Sequence, residues 1–198
     1  MTIVPLSRAH ACIFQAPVLD AVDTSIFALR YFTHCMACSF CDDQCCTYGV
    51  DIDADNAERL LALGDDFKAF VGVPEGEWFT DEILDDAEFP SGRHRRTRVR
   101  GSHCVFHKPG GRGCLIHAWC LDKGLDYHLL KPMVSILFPL TFEHGCLMAS
   151  NEVHDRSLVC AGQGPTLYQG VRGELEYYFG AALVKELDAI AGSPPPPR

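Results

Sequence analysis

The spacing of apolar positions predicts several short helices and one long one. Capping residues followed by apolar positions three and four apart predict a helix over about 55–63, which Gly64 ends. Cys114–Lys123 has the pattern of another short helix, stopped by Gly124. The longest predicted helix covers about 166–191, and its apolar spacing predicts an amphipathic helix near the C-terminus.

Other segments favour extended structure. Residues 93–107 alternate apolar and polar positions, and a glycine-rich turn is predicted at 109–113. Two further strands are predicted, over Val134–Phe142 and Cys146–Met148, around a turn. A short helix is expected after Asp23. This mixture predicts a small α+β fold whose long irregular loops need something to organise them.

Composition narrows the class of protein. The chain has 198 residues, of which 47 % are hydrophobic and 22 % are charged, which fits a globular fold and excludes a collagen, a coiled coil or a disordered chain. We expect a single domain over residues 1–192. The proline-rich segment 193–198 is expected to be a disordered tail.

The net charge of −9 argues against general nucleic-acid binding, which needs a basic face. An acidic segment at 75–88 is followed at once by five arginines within 93–100. We expect the two segments to neutralise each other; the alternative is an arginine patch for a phosphate or an acidic partner. No apolar stretch is long enough for a membrane span, so no membrane partner is expected, whereas a protein partner stays possible.

Eleven cysteines are the strongest signal in the composition. An odd number cannot all form intramolecular disulfides. Residues 1–8 lack the basic and apolar regions of a secretory signal, so we expect a reducing cytoplasm, where dense cysteines indicate metal binding or catalysis.

Five of these cysteines lie within twelve residues, spaced C-x2-C-x2-C-x3-C-C: Cys35, Cys38, Cys41, Cys45 and Cys46. Two-residue spacers let a turning backbone direct neighbouring sulfurs to one soft metal centre. The first four positions share the spacing of bacterial ferredoxins, but a cysteine replaces the proline that follows there, and the run occurs once. Disulfides and packed thiols are the alternatives, and neither fits a polar loop in a reducing compartment.

The downstream cysteines are more dispersed. Cys104 and Cys114 flank the glycine-rich turn and are expected to come close. His117 shares a helical face with Cys114, whereas Cys120 is displaced from it and is expected to be a packed thiol. Cys146 is expected in the core, and Cys160 stays open as a ligand. We expect His103 and His107 to be solvated, and we find none of the common nucleophile, zinc-protease or phosphate-loop motifs.

Several ordered segments together resemble the YkgJ-type cysteine-cluster family, the CxxCxxCC group of zinc- or iron-chelating proteins that has flagellin lysine-N-methylases among its relatives. The resemblance spans about residues 30–160 and rests on five segments: 38–46, 104–106, 113–117, 131–132 and 138–139. It implies a metal or iron–sulfur site built from the cysteine run with Cys104, Cys114 and Cys160.

The chain departs from the family pattern in two places. Three residues rather than two precede the Cys45–Cys46 pair, and Ser135 stands where the family has a further cysteine. If that cysteine is a ligand in the family, Cys160 is our candidate to replace it. The methylase activity is not carried over, because the chain is little longer than the metal-binding region.

The sequence thus predicts a cytoplasmic protein with a cysteine-ligated iron–sulfur cluster, [4Fe–4S] being favoured, in a structural or redox role. The predicted ligands are Cys38, Cys41, Cys45, Cys46, Cys104, Cys114 and Cys160. The alternatives are a structural zinc module for protein binding and a cluster-dependent, methyltransferase-like enzyme.

Overall fold

The computed structural model describes residues 2–33 and 40–192. The predicted tail and two cysteines of the run, Cys35 and Cys38, lie outside the described residues. By contacts the chain divides into two compact units, one of residues 2–33 with 137–192 and one of residues 40–136. The single domain expected over residues 1–192 stays a prediction.

The described residues form both strands and helices, which confirms the α+β class. The strands are β1 (Ile3–Ala11), β2 (Val18–Asp23), β3 (Arg30–Tyr31), β4 (Asp51–Asp53), β5 (Leu84–Asp85), β6 (Arg93–Arg96), β7 (Val99–Arg100), β8 (His103–Cys104), β9 (Leu140–Glu143), β10 (Cys146–Ala149) and β11 (Ala161–Thr166). The α-helices are α1 (Ala54–Leu61), α2 (Asp65–Val71), α3 (Leu115–Lys123), α4 (Met133–Leu137), α5 (Asn151–His154) and α6 (Leu167–Gly192). Short 3-10 helices occupy Thr24–Phe27, Gln44–Cys46, Glu75–Glu77 and Tyr127–Leu129.

The unit of residues 2–33 and 137–192 is built on a four-stranded sheet in the order β1-β2-β10-β9. The β2 and β10 strands run parallel, and the outer pairs are antiparallel. A separate pair joins β3 to β11, and α6 packs against β1 and the 3-10 helix Thr24–Phe27. The sequence did not predict the β1–β2 hairpin, because its apolar residues do not alternate regularly and its register is interrupted between Pro5 and His10.

The C-terminal helix was predicted as one continuous element, and this is wrong in one respect. At Gly180 the backbone leaves the helical region, with φ 80° and ψ 166°. Arg172 donates to Asp188 at 2.7 Å, although a continuous helix would separate these residues by about 24 Å along its axis. The Tyr168 hydroxyl also reaches Asp188, at 2.6 Å. The segments 167–179 and 181–192 therefore fold back on each other, and each buries one apolar face.

The unit of residues 40–136 contains a three-stranded sheet in the order β4-β6-β5 and the β7–β8 pair. Its core is a cluster of aromatic and aliphatic side chains in which Phe67 packs edge-to-face against Trp78 and Trp119, with ring centroids 5.5 and 5.4 Å apart. The predicted helix caps are confirmed here. The Asp53 carboxylate accepts from Asn56 N at 3.1 Å at the start of α1, and Gly124 ends α3 in the left-handed conformation.

The strand predicted over Val134–Phe142 is wrong in its first half. Residues Met133–Leu137 form α4, and only Leu140–Glu143 are extended. A continuous apolar run has no clear period, and Pro132 favours a first helical turn. No helix within the described residues is at once long and apolar enough to cross a bilayer.

Candidate metal centre

The described part of the cysteine run, residues 40–46, forms a tight loop. Asp42 and Asp43 both adopt the left-handed conformation, with φ 48° and 52°, which aspartate tolerates better than most residues. Gln44 N donates to Cys41 O at 3.1 Å, and Cys46 N donates to Asp43 O at 2.7 Å. Local hydrogen bonds thus fold Cys41, Cys45 and Cys46 into one short turn.

The glycine-rich turn brings Cys104 and Cys114 together, as the sequence predicted. His107 N donates to Cys104 O at 2.8 Å, and His107 then pairs with Cys114 in a β-bridge. Leu115 N donates to Phe106 O at 2.7 Å, which closes the loop at the start of α3. The two cysteines therefore lie at the same end of this loop.

A buried carboxylate fastens the cysteine loop to this turn. Asp43 is 2 % exposed, and one of its oxygens accepts from Gly113 N at 3.0 Å. The same oxygen lies 3.0 Å from His107 Nε2, and Arg112 Nη1 lies 3.5 Å from the other oxygen. Burial by itself raises the pKa of Asp43, but these hydrogen bonds and the charge of Arg112 bring it below its usual value. Asp43 is therefore held as a carboxylate between the two cysteine-bearing segments.

Further contacts join the cysteine loop of residues 40–46 to the segment of residues 103–107. The turn Gln44–Cys46 lies against β8, with Cα atoms of the two elements within 8 Å. His103 Nε2 lies 3.3 Å from Asp42 O, and its ring stacks on that of His107 with centroids 4.3 Å apart. The expectation of solvation is wrong for His107, whose side chain is 15 % exposed and contacts Asp43, whereas His103 is partly exposed. Three cysteines of the run thus share one region with Cys104 and Cys114.

The thiols in this region have distinct surroundings. Burial raises the pKa of Cys104, whose Sγ donates to Thr97 Oγ1 at 3.3 Å. Cys41 is 4 % exposed, and its Sγ accepts from Arg112 Nη1 at 3.5 Å. Cys46, Cys104 and Cys114 carry thiols rather than disulfides to other described cysteines.

The donor chemistry of these residues fits a soft metal centre. Within residues 2–33 and 40–192, no three histidine, cysteine or acidic side chains converge in an arrangement that could hold an ion. The five sulfurs of Cys41, Cys45, Cys46, Cys104 and Cys114 nevertheless lie on adjacent segments, and thiolates are the preferred ligands of zinc and of iron–sulfur clusters. The fit of these residues to a metal centre therefore rests on their thiol chemistry and not on a preformed coordination geometry.

The remaining predicted site residues have other surroundings. Cys38 lies outside the described residues. Cys160 belongs to the unit of residues 2–33 and 137–192, where it is 5 % exposed and its carbonyl accepts from Phe32 N at 3.2 Å. Cys120 is fully buried in the aromatic core, and this burial raises its pKa to about 11. Ser135 lies within α4.

As the favoured interpretation of the charge pattern expected, the arginine-rich segment pairs with the acidic segment at Arg98, whereas Arg96 pairs with an aspartate outside it. Arg98 pairs with Asp81 of the acidic segment at 3.0 Å, and Arg96 pairs with Asp51 at 2.8 Å. Arg95 donates to the carbonyl of Thr80. These contacts join the arginine-rich segment to the acidic segment and to β4.

Sequence reasoning missed Asp43 and Arg112, although both are central to the site. The available signal was the pair Asp42–Asp43 inside a cysteine loop, because a carboxylate there that becomes buried needs a cation or backbone donors nearby. Searches against family models, curated proteins and solved structures return no match for this chain. The resemblance to the cysteine-cluster family accordingly stays an expectation.

Proposed function

We propose that this protein binds a cysteine-ligated metal centre in the unit of residues 40–136. The proposed ligands among the described residues are Cys41, Cys45, Cys46, Cys104 and Cys114. Cys38 joins them on the spacing of the run alone. The observation that carries the proposal is the Asp43 carboxylate, which fastens the loop bearing three of these cysteines to the turn between the other two.

We favour an iron–sulfur cluster of the [4Fe–4S] type over zinc. One structural zinc and one [4Fe–4S] cluster each take four cysteine ligands, and the cysteines of this region exceed that number, so metal and sulfide analysis decides between the two. When bound, such a cluster transfers single electrons or acts as a structural cross-link. The residues of the chain would supply the sulfurs, shield them in part from solvent and hold the two segments together. Cys160 stays a seventh candidate on sequence grounds.

A reducing cytoplasm is the compartment that we propose. Thiols intended for a metal centre must stay reduced until they are loaded.

Anaerobic purification followed by metal and sulfide analysis tests the proposal. We expect a brown protein with visible absorption and stoichiometric iron and sulfide. A colourless protein with stoichiometric zinc and no sulfide would replace the cluster with the zinc module. A protein with neither metal contradicts the proposal.

Two cysteine variants test the location of the site. Cys104→Ser removes a partly buried ligand candidate and is expected to lower metal content strongly. Cys146→Ser is the control, because Cys146 lies on β10 in the other compact unit and is expected to leave metal content unchanged. Equal metal content in both variants would contradict the ligand assignment.

A further inference from the structure

Arg112 contacts three residues of the cysteine loop. Its guanidinium reaches Cys41 Sγ and Asp43 Oδ1, each at 3.5 Å, and Asp42 Oδ1 at 3.6 Å. The Arg112 side chain is 25 % exposed, whereas Asp43 is buried and Asp42 is almost fully exposed. The partly exposed guanidinium thus contacts both a buried and an exposed carboxylate of the cysteine loop.

The position of Arg112 in the chain links two candidate ligands. Arg112 is followed by Gly113, which adopts φ 83°, and then by Cys114. The side chain that binds the sulfur of Cys41 therefore sits two residues from Cys114. One planar group ties the cysteine run to the segment that bears a later ligand.

The guanidinium of Arg112 has the charge and the hydrogen-bond donors that suit a metal centre ligated by thiolates. Several thiolates around one metal centre leave a net negative charge, and hydrogen bonds to sulfur weaken its electron donation to the metal. A guanidinium supplies both a permanent positive charge and donors in a fixed planar fork. Lysine supplies the charge without the fork.

From these contacts we propose that Arg112 is a positioning residue of the metal centre: its guanidinium holds the Cys41 sulfur in place and offsets the charge of the thiolates. The inference rests on the proposed function. It assigns to Arg112 control over how firmly the metal is retained and over the electronic character of the Cys41–metal bond.

Metal retention is the first measurement. The protein as purified anaerobically is challenged with a chromogenic chelator for whichever metal it contains, and the release rate is recorded. Partners of this kind change metal affinity by about 10- to 100-fold, so we expect release from Arg112→Gln to be faster by a factor in that range. Arg112→Lys is expected to lie between this variant and the wild type, because it keeps the charge.

The sulfur-to-metal absorption band is the second measurement, made on the native cluster or on Co²⁺-loaded protein if the native metal is zinc. Loss of the hydrogen bond to Cys41 makes that sulfur a stronger donor, so the band of Arg112→Gln is expected to move to longer wavelength. A purely structural role would not move this band.

Arg98→Gln is the matched control. Arg98 also pairs with an aspartate of the same unit, at 3.0 Å, but among the described residues its guanidinium reaches Phe79 O and Asp81 and not a cysteine. Wild-type release and an unmoved band in Arg112→Gln, or equal changes in Arg98→Gln, overturn the inference while the metal centre stands. A wild-type protein that contains no metal overturns both proposals.

Discussion

The buried Asp43 carboxylate is the most testable contact in the structure. Asp43→Ala removes the acceptor for Gly113 N and for His107 Nε2, each 3.0 Å away, and leaves Arg112 without its buried partner. The substitution therefore separates the cysteine loop from the turn that follows β8. We expect it to destabilise the unit of residues 40–136 even without metal.

The magnitude follows from the contacts. A hydrogen bond to a charged group contributes about 1.5–3 kcal/mol, and breaking a buried charge pair by removing one partner costs about 3–5 kcal/mol. Because Asp43 is 2 % exposed, little solvent screening reduces these values. We expect Asp43→Ala to lower the free energy of unfolding by about 3–5 kcal/mol. Asp43→Asn, which keeps the shape and tolerates φ 52°, should cost less.

Tryptophan fluorescence reports this unit selectively. The chain has two tryptophans, Trp78 and Trp119, and both lie in the aromatic core of the unit of residues 40–136. Urea titration of reduced, metal-free protein, followed by tryptophan emission, therefore gives the stability of the unit that contains Asp43.

Asp81→Ala is the matched control, because Asp81 pairs with Arg98 in the same unit but its side chain is 95 % exposed. Exposed pairs contribute about 0–1 kcal/mol, so this variant should unfold almost as the wild type does. If Asp43→Ala and Asp81→Ala shift the urea midpoint equally, Asp43 does not hold the cysteine loop against the turn after β8.

Two predictions concern the fold-back of α6. Gly180→Ala should destabilise the protein by about 1–3 kcal/mol, because φ 80° with ψ 166° is accessible essentially to glycine alone. Gly173→Ala is the control: this position is helical and has open space around an added Cβ, so the substitution should stabilise the protein by about 0.5–1 kcal/mol. If the melting temperature shifts in the same direction in both variants, the kink assigned to Gly180 is refuted. Arg172 and Tyr168 lower the pKa of Asp188 to about 2, so its stabilising effect is present above its ordinary value of 3.8 and is lost as the pH falls towards 2. The melting temperature of Asp188→Asn should therefore fall less over this pH range than that of the wild type.

Local signals predicted the helices with clear boundaries. Asp53 before α1 and Gly124 after α3 act through hydrogen bonds and backbone conformations of their own neighbourhood, so short stretches of sequence suffice to locate them. The strand predicted from Val134 failed because an apolar run carries no period. The β1–β2 hairpin escaped prediction because its pairing is irregular.

The candidate site was likewise predicted from the sequence only where local pattern was sufficient. Spacing alone indicated the cysteine run, and the glycine-rich turn indicated that Cys104 and Cys114 meet. The Asp43 and Arg112 contacts join residues about 70 positions apart, and no local pattern specifies such a pair.

The sequence by itself determined the donor chemistry, the α+β class and the helix ends, because these depend on residue type and on neighbours a few positions away. The tertiary structure alone decided that α6 folds back at Gly180 and that a buried carboxylate joins the cysteine loop to the turn after β8. Both depend on packing between distant segments, where burial makes one ion pair or hydrogen bond strong enough to select an arrangement.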